Sequence, residues 1–273
     1  MLLGCDFSSA PSARKTIVVA TGSLSASEAA VELHALLRFS SLDAWGEWLA
    51  AQPAWVGAFD FPFGLPRALV EQLGWPGTWP ELMAHYAALP RAEIRRAFAA
   101  FCAARPAGAK FAHRGTDSPA GSSPSMKWVN PPVAFMLHAG VPRLIAAGAF
   151  FPGLQWPAPQ APSRVALEGY PGLLARELIG RRSYKSDDAA RRTPERRQAR
   201  VELLQQLERG ATRLALSLAT VTPAQRESLL DDASGDALDA LFCLLQGAWA
   251  WRRQPGYGLP ADMDRLEGWI VTA

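Results

Sequence analysis

Residues 56–66 read VGAFDFPFGLP. An apolar run of this kind fits a strand buried on both faces of a largely parallel sheet. It ends on Asp60, and Pro62 two residues later forces the chain out of the sheet. A carboxylate in such a place is costly unless it is hydrogen-bonded, paired or bound to a metal. The same arrangement occurs twice more, in LLGCDFSSAP (2–11) with Asp6 and in RVALEGYPGLL (164–174) with Glu168. If these three runs are neighbouring strands, their acids stand together at the C-terminal edge, where open α/β sheets place ligand sites.

The segments between them support that reading. KTIVVATGS (15–23) is β-branched with a Gly turn, and VELHALLRF (31–39) alternates roughly with period two, so the first three runs form a meander. Ser41 is placed to cap a helix whose Leu42, Trp45, Trp48 and Leu49 recur at helical spacing. That helix returns the chain to the 56–60 run as a crossover, making the run parallel to the first. From Pro66 to Pro162 the pattern changes to short helices broken by Pro and Gly, with a long loop at 104–132. A fifth strand at 163–169 is followed by helices at 172–179, 194–208 and 223–230, and by a last helix over 235–253.

The last helix, GDALDALFCLLQGAWAWRR, is apolar nearly all round. At about 100° per residue, Asp236, Asp239, Ala240, Cys243 and Gly247 share one side. Small residues on that side let a helix approach a sheet closely, and the two aspartates stand on it. Like charges gathered this way raise one another's pKa unless cations intervene, and Mg²⁺ or Mn²⁺ are the natural partners of an all-oxygen set.

Composition bounds the alternatives. The 273 residues are 49% hydrophobic and 19% charged, enough apolar content for one sizeable core. The three cysteines are far apart and lie in apolar surroundings, which points to reduced core thiols, and no disulfide framework is implied. No apolar run reaches the roughly 18 residues of a membrane helix. MLLGC has too few residues and no basic charge ahead of Cys5 for a lipoprotein signal. A cytoplasmic protein without a membrane partner is the expectation. The four histidines lack zinc spacing, and neither a P-loop nor a GxGxxG motif is present.

Asp6, Asp60 and the Asp236/Asp239 pair together resemble the acidic pattern of the RNase H-like superfamily, in particular its RuvC-type resolvases. GCDFSSAP, FDFPFGLP, EGYP, YKSDDAARR and GDALDAL, spread from residue 4 to 241, resemble domain-of-unknown-function family 429, described as predicted nucleases of RNase H-like fold. The resemblance implies an α/β three-layer fold spanning residues 1–273. Its mixed five-stranded sheet has strand 2 antiparallel and helices on both faces, with a helical, Pro/Gly-rich insertion at 67–162. It also implies a nuclease in which Asp6, Asp60, Asp236 and Asp239 hold two Mg²⁺ or Mn²⁺ ions for phosphodiester hydrolysis. Asp60 is shorter than the resolvase Glu, and Glu168 is an additional candidate for the catalytic set.

The expected partner is nucleic acid, DNA or RNA. Residues 181–200 carry eight Lys or Arg against three acids, either as a solvated helix face or as a footprint for phosphates. Lys110, Arg114, Lys127, Asn130 and Lys185 are candidate phosphate donors, and Trp128 a candidate base-stacking residue. Two other classes keep the same sheet: a binding module without turnover, and an ATP-dependent phosphotransferase of the actin or sugar-kinase type. The latter needs two lobes and Gly-rich phosphate loops.

Overall fold

The computed structural model describes residues 1–273. Its elements run β1 (Leu2–Asp6), β2 (Ile17–Leu24), β3 (Ala30–Phe39), α1 (Leu42–Ala51), β4 (Trp55–Phe59), α2 (Arg67–Gln72), α3 (Trp79–Ala88) and α4 (Arg91–Ala103). They continue with α5 (Asp117–Ala120), α6 (Val133–Ala146), β5 (Arg164–Glu168), α7 (Pro171–Ile179), α8 (Pro194–Glu208), β6 (Ser217–Leu218), α9 (Pro223–Asp231) and α10 (Asp236–Trp251). The sheet order is β5-β4-β1-β2-β3-β6. β1, β4 and β5 are parallel, and β2 is antiparallel to both neighbours. The fold is α/β with a mixed sheet of six strands rather than the expected five. The extra strand, β6, is a two-residue addition parallel to β3, too short for any periodicity to announce.

Two apolar layers cover the sheet. One contains Leu3, Cys5, Ile17, Val19 and Phe59 with side chains of α1, α3, α4 and α6. The other contains Leu2, Val18, Ala20, Val56 and Ala58 with α7, α8, α9 and α10. The helices of segment 67–162 thus form much of one layer. Ser41 caps α1 as its position in the sequence suggests, its hydroxyl accepting from the Ala44 amide at 3.2 Å.

Strand parity decides where the acids point, since successive side chains leave a strand on opposite faces. Leu2 lies in the α10 layer and Leu3 and Cys5 in the other, so Gly4 and Asp6 share the α10 face. In β4, Val56 and Ala58 lie in the α10 layer, which sends Asp60 to the same face. β5 keeps the phase of β4, Val165 and Leu167 pairing with Val56 and Ala58 and facing α10, so Glu168, one residue after Leu167 and paired with Phe59, points the other way.

Close contact between α10 and β1 brings the helical aspartates to this edge. A Cβ on Gly4 would sit 2.0 Å from Leu244 N and 2.1 Å from Ala240 O, both backbone atoms of α10. On the helix side, a Cβ on Gly247 would lie 3.2 Å from Leu3 O. The small side of α10 read from the sequence is therefore the docked side. Gly4→Ala is expected to destabilise the protein by about 3 kcal/mol or more, because neither backbone can yield cheaply. Gly77→Ala, where a Cβ meets nothing within 4 Å, is expected to be near neutral. Urea denaturation of the two variants checks the contrast.

Candidate functional site

Each carboxylate arrives on its own element. Asp6 ends β1. Asp60 follows β4, and its amide donates to Cys5 O at 2.8 Å, which continues the parallel ladder and keeps the residue beside Asp6. Asp236 and Asp239 occupy the first turn of α10, after Gly235 in the left-handed region. The helix is capped by Asp232, which accepts from the Ala237 amide at 2.9 Å. Asp236 is thus free to face the cleft, where the positive end of the helix dipole favours anions.

The structure brings Asp6, Asp60 and Asp239 together: one oxygen from each lies within 4.8 Å of the other two. Asp6, Asp236 and Asp239 are buried, and Asp60 is partly exposed. Asp239 accepts from the Tyr184 hydroxyl and is paired with the Lys185 ammonium. Asp236 is paired with Lys15 at 2.8 Å, and Lys15 also reaches Asp187 at 2.9 Å. Asp6 and Asp60 receive no side-chain or backbone hydrogen bond on their carboxylates. Four aspartates thus face two ammonium groups, an excess of two negative charges when all are ionised.

The electrostatic consequences follow. Burial, then repulsion from Asp236, Asp239 and Asp60, holds Asp6 well above the usual carboxylate range. Burial first, then Asp239 and Glu168, pushes Asp60 up to about 7, with Lys185 opposing. Burial also raises Asp236, against the pull of Lys15. For Lys185, burial is the largest single effect and works against the charge, but the attractions of Asp239 and Asp6 and the hydrogen bond to Asp239 act together to hold the ammonium.

Glu168 does not join this group. Its two oxygens accept from Arg114 Nη2 at 2.7 Å and Nη1 at 2.8 Å, and one also accepts from the Phe63 amide at 2.9 Å. Glu168 is a positioning residue that ties down the loop after Asp60, and the catalytic role expected of it is corrected. The cause is parity, which turns it away from α10. The phosphate-binding role expected of Arg114 is corrected as well. It is buried, and its guanidinium is committed to Glu168, Asp117 and Glu267 O, with no donor left for a phosphate. Trp128, the candidate base platform, packs its ring against Phe98 and Phe111.

Of the remaining candidates, Lys185 stands in the site, with Tyr184 beside it. Asn130 precedes Pro131 and Pro132, which line the acid-bearing cleft of about 520 Å³. Lys110 is exposed and Lys127 half-buried, and neither lines that cleft. In the basic segment 181–200 six of the eight Lys and Arg residues are exposed, and two arginines brace the chain from within. Arg200 is buried and donates to Leu230 O and Tyr184 O, and Arg196 donates to Lys185 O, so these arginines hold the loop that presents Lys185. Lys15 and Tyr184 are site residues that the sequence reading passes over. Antiparallel pairing of Asp6 with Val18 sets the start of β2 beside the end of β1, which is the signal that locates Lys15.

The three cysteines are free and buried, and no helix is long and apolar enough to cross a membrane. Comparison with protein-family models, curated proteins and solved structures gives no match to this chain.

Raised carboxylate pKa values carry a sign. Folded Asp60 keeps a proton up to about 7, whereas an unfolded aspartate releases it near 3.8. Its contribution to stability therefore declines as pH rises from about 4 to about 7 and is level above that. In chelator-treated protein, the urea midpoint is expected to fall between pH 5 and pH 8, and Asp60→Asn to flatten that fall.

Proposed function

We propose that this chain is a divalent-metal-dependent nuclease of RNase H-like fold that hydrolyses phosphodiester bonds in nucleic acid. The observation that carries the reading is the convergence of Asp6, Asp60 and Asp239 from two parallel strands and the last helix. Two oxygens on one hard cation lie up to roughly 4–5 Å apart, twice the coordination length, so the spacing fits a shared ion. The donor set fits as well: all oxygen, with two carboxylates lacking any protein hydrogen bond and an excess of two negative charges. Asp6 and Asp236 would hold a second ion in exchange for the Lys15 ammonium now paired with Asp236. The strand order β5-β4-β1-β2-β3 with β2 antiparallel supports the fold assignment.

A divalent ion held there supplies an activated water and offsets charge on the leaving oxygen. The protein's own groups bind and orient. The Lys185 ammonium borders both cavities that meet at Asp60 and can donate to a phosphoryl oxygen. A further cleft of about 800 Å³ adjoins the acids through Lys15 and Asp236, and in its lining Arg14, Lys15, Arg38 and Arg192 are balanced by Asp187, Asp231, Asp232 and Asp236.

A second reading, a binding module without turnover, has one observation in its favour: Tyr184 and Lys185 already engage both oxygens of Asp239. One experiment separates the two. The protein is incubated with Mg²⁺ or Mn²⁺ and a panel of single-stranded, duplex, hybrid and branched DNA and RNA, beside Asp6→Asn. Cleavage by the parent chain, reduced roughly 10³-fold or more in the variant, is expected. Cleavage that persists in Asp6→Asn would contradict the assigned centre, and none on any substrate would favour the binding module.

A further inference from the structure

We propose that the cavity behind Asp60 is a pocket for one unpaired nucleobase, which makes the substrate a single strand or a locally opened one. This rests on the nuclease reading of the acid cluster but concerns recognition, not hydrolysis. The cavity has a volume of about 210 Å³. That is below the roughly 300–1,000 Å³ of pockets that enclose a drug-sized ligand, so it takes one planar ring system and not a base pair.

Its position ties it to the site. Asp60, Pro131, Met136 and Lys185 line both this cavity and the acid-bearing cleft, so the two are neighbours across the Asp60–Lys185 wall. A phosphodiester at the acids would have the base of its adjoining nucleotide within reach of the cavity.

The lining suits a base. Phe61, Pro62, Met136 and Tyr170 give apolar and aromatic surface, and any base can use such surface because each has a π-face. Ser122 donates its hydroxyl to Asp117 at 3.0 Å, which leaves the Ser123 hydroxyl to meet a base edge. Arg114 and Glu168 form a closed, buried floor, so the shape is set before the ligand arrives.

The acid cleft also shares Lys15, Asp187, Ser234 and Asp236 with the charge-balanced cleft of about 800 Å³. The strand would pass with a phosphate beside Lys185, which borders both cavities, and with one base turned into the pocket. A base held in a duplex must be extruded first, at a cost of a few kcal/mol.

The test is binding, measured with chelator present so that no cleavage occurs. Fluorescence anisotropy is read with a labelled ten-nucleotide strand of mixed sequence, alone and annealed to its complement. The single strand is expected to bind about tenfold tighter than the duplex. Ser123→Trp, which fills the cavity, is expected to remove that preference by weakening single-strand binding about tenfold while leaving the melting temperature unchanged. Met136→Trp serves as the second filling variant and decides the matter if Ser123→Trp does not fold. Equal affinity for the two forms, or undiminished single-strand binding by a folded filling variant, overturns the pocket. A preference that survives in a protein inactive on every substrate would retain the pocket and remove the nuclease reading.

Discussion

The close seating of α10 on β1 is the constraint on which the rest of the structure depends. Gly4 lets the helix backbone meet the strand backbone where any side chain would collide. The contact is made by the small side of α10, and it delivers two aspartates to the sheet edge where β1 and β4 deliver two more. Burial of nearly the whole helix surface holds the arrangement in place. The carboxylates are thus brought together by packing, against their own repulsion.

That repulsion is only partly relieved from within. Lys15 and Lys185 approach from opposite segments, one ahead of β2 and one in the loop before α8, and neutralise half of the charge. Asp6 and Asp60 are left without donors, and both are held above the usual carboxylate range. A fold that gathers four acids, meets two with ammonium groups and leaves two bare has the charge that the proposed divalent-cation site would need. Glu168 shows the contrast. The same kind of residue at the same sheet edge, but on the other face, is closed off by Arg114 and serves to hold a loop.

Much of this was legible in the sequence. The order of apolar runs, the Ser41 cap, the small side of α10 and the convergence of Asp6, Asp60 and the helical pair all follow from periodicity and chain direction. The assignment of Glu168 to the same group fails because position at a strand end does not determine which face a residue takes. The alternation of Val165 and Leu167 against Val56 and Ala58 carries that information only once the register is known. Arg114 fails for a related reason: its partners, Asp117 excepted, are more than fifty residues away in sequence. The two-residue β6 has no local signature, and the arginines at 196 and 200 read as charge although they work as anchors for the Lys185 loop.

The central claim is that the Asp6, Asp60 and Asp239 carboxylates form a divalent-cation site. Isothermal titration of Mn²⁺ into chelator-treated protein at pH 8 tests it most directly, because binding is read without reference to any substrate. The account predicts saturable binding in the parent chain that is abolished by Asp6→Asn in a variant that stays folded. Absence of binding at millimolar Mn²⁺, or an unchanged isotherm in Asp6→Asn, would contradict it.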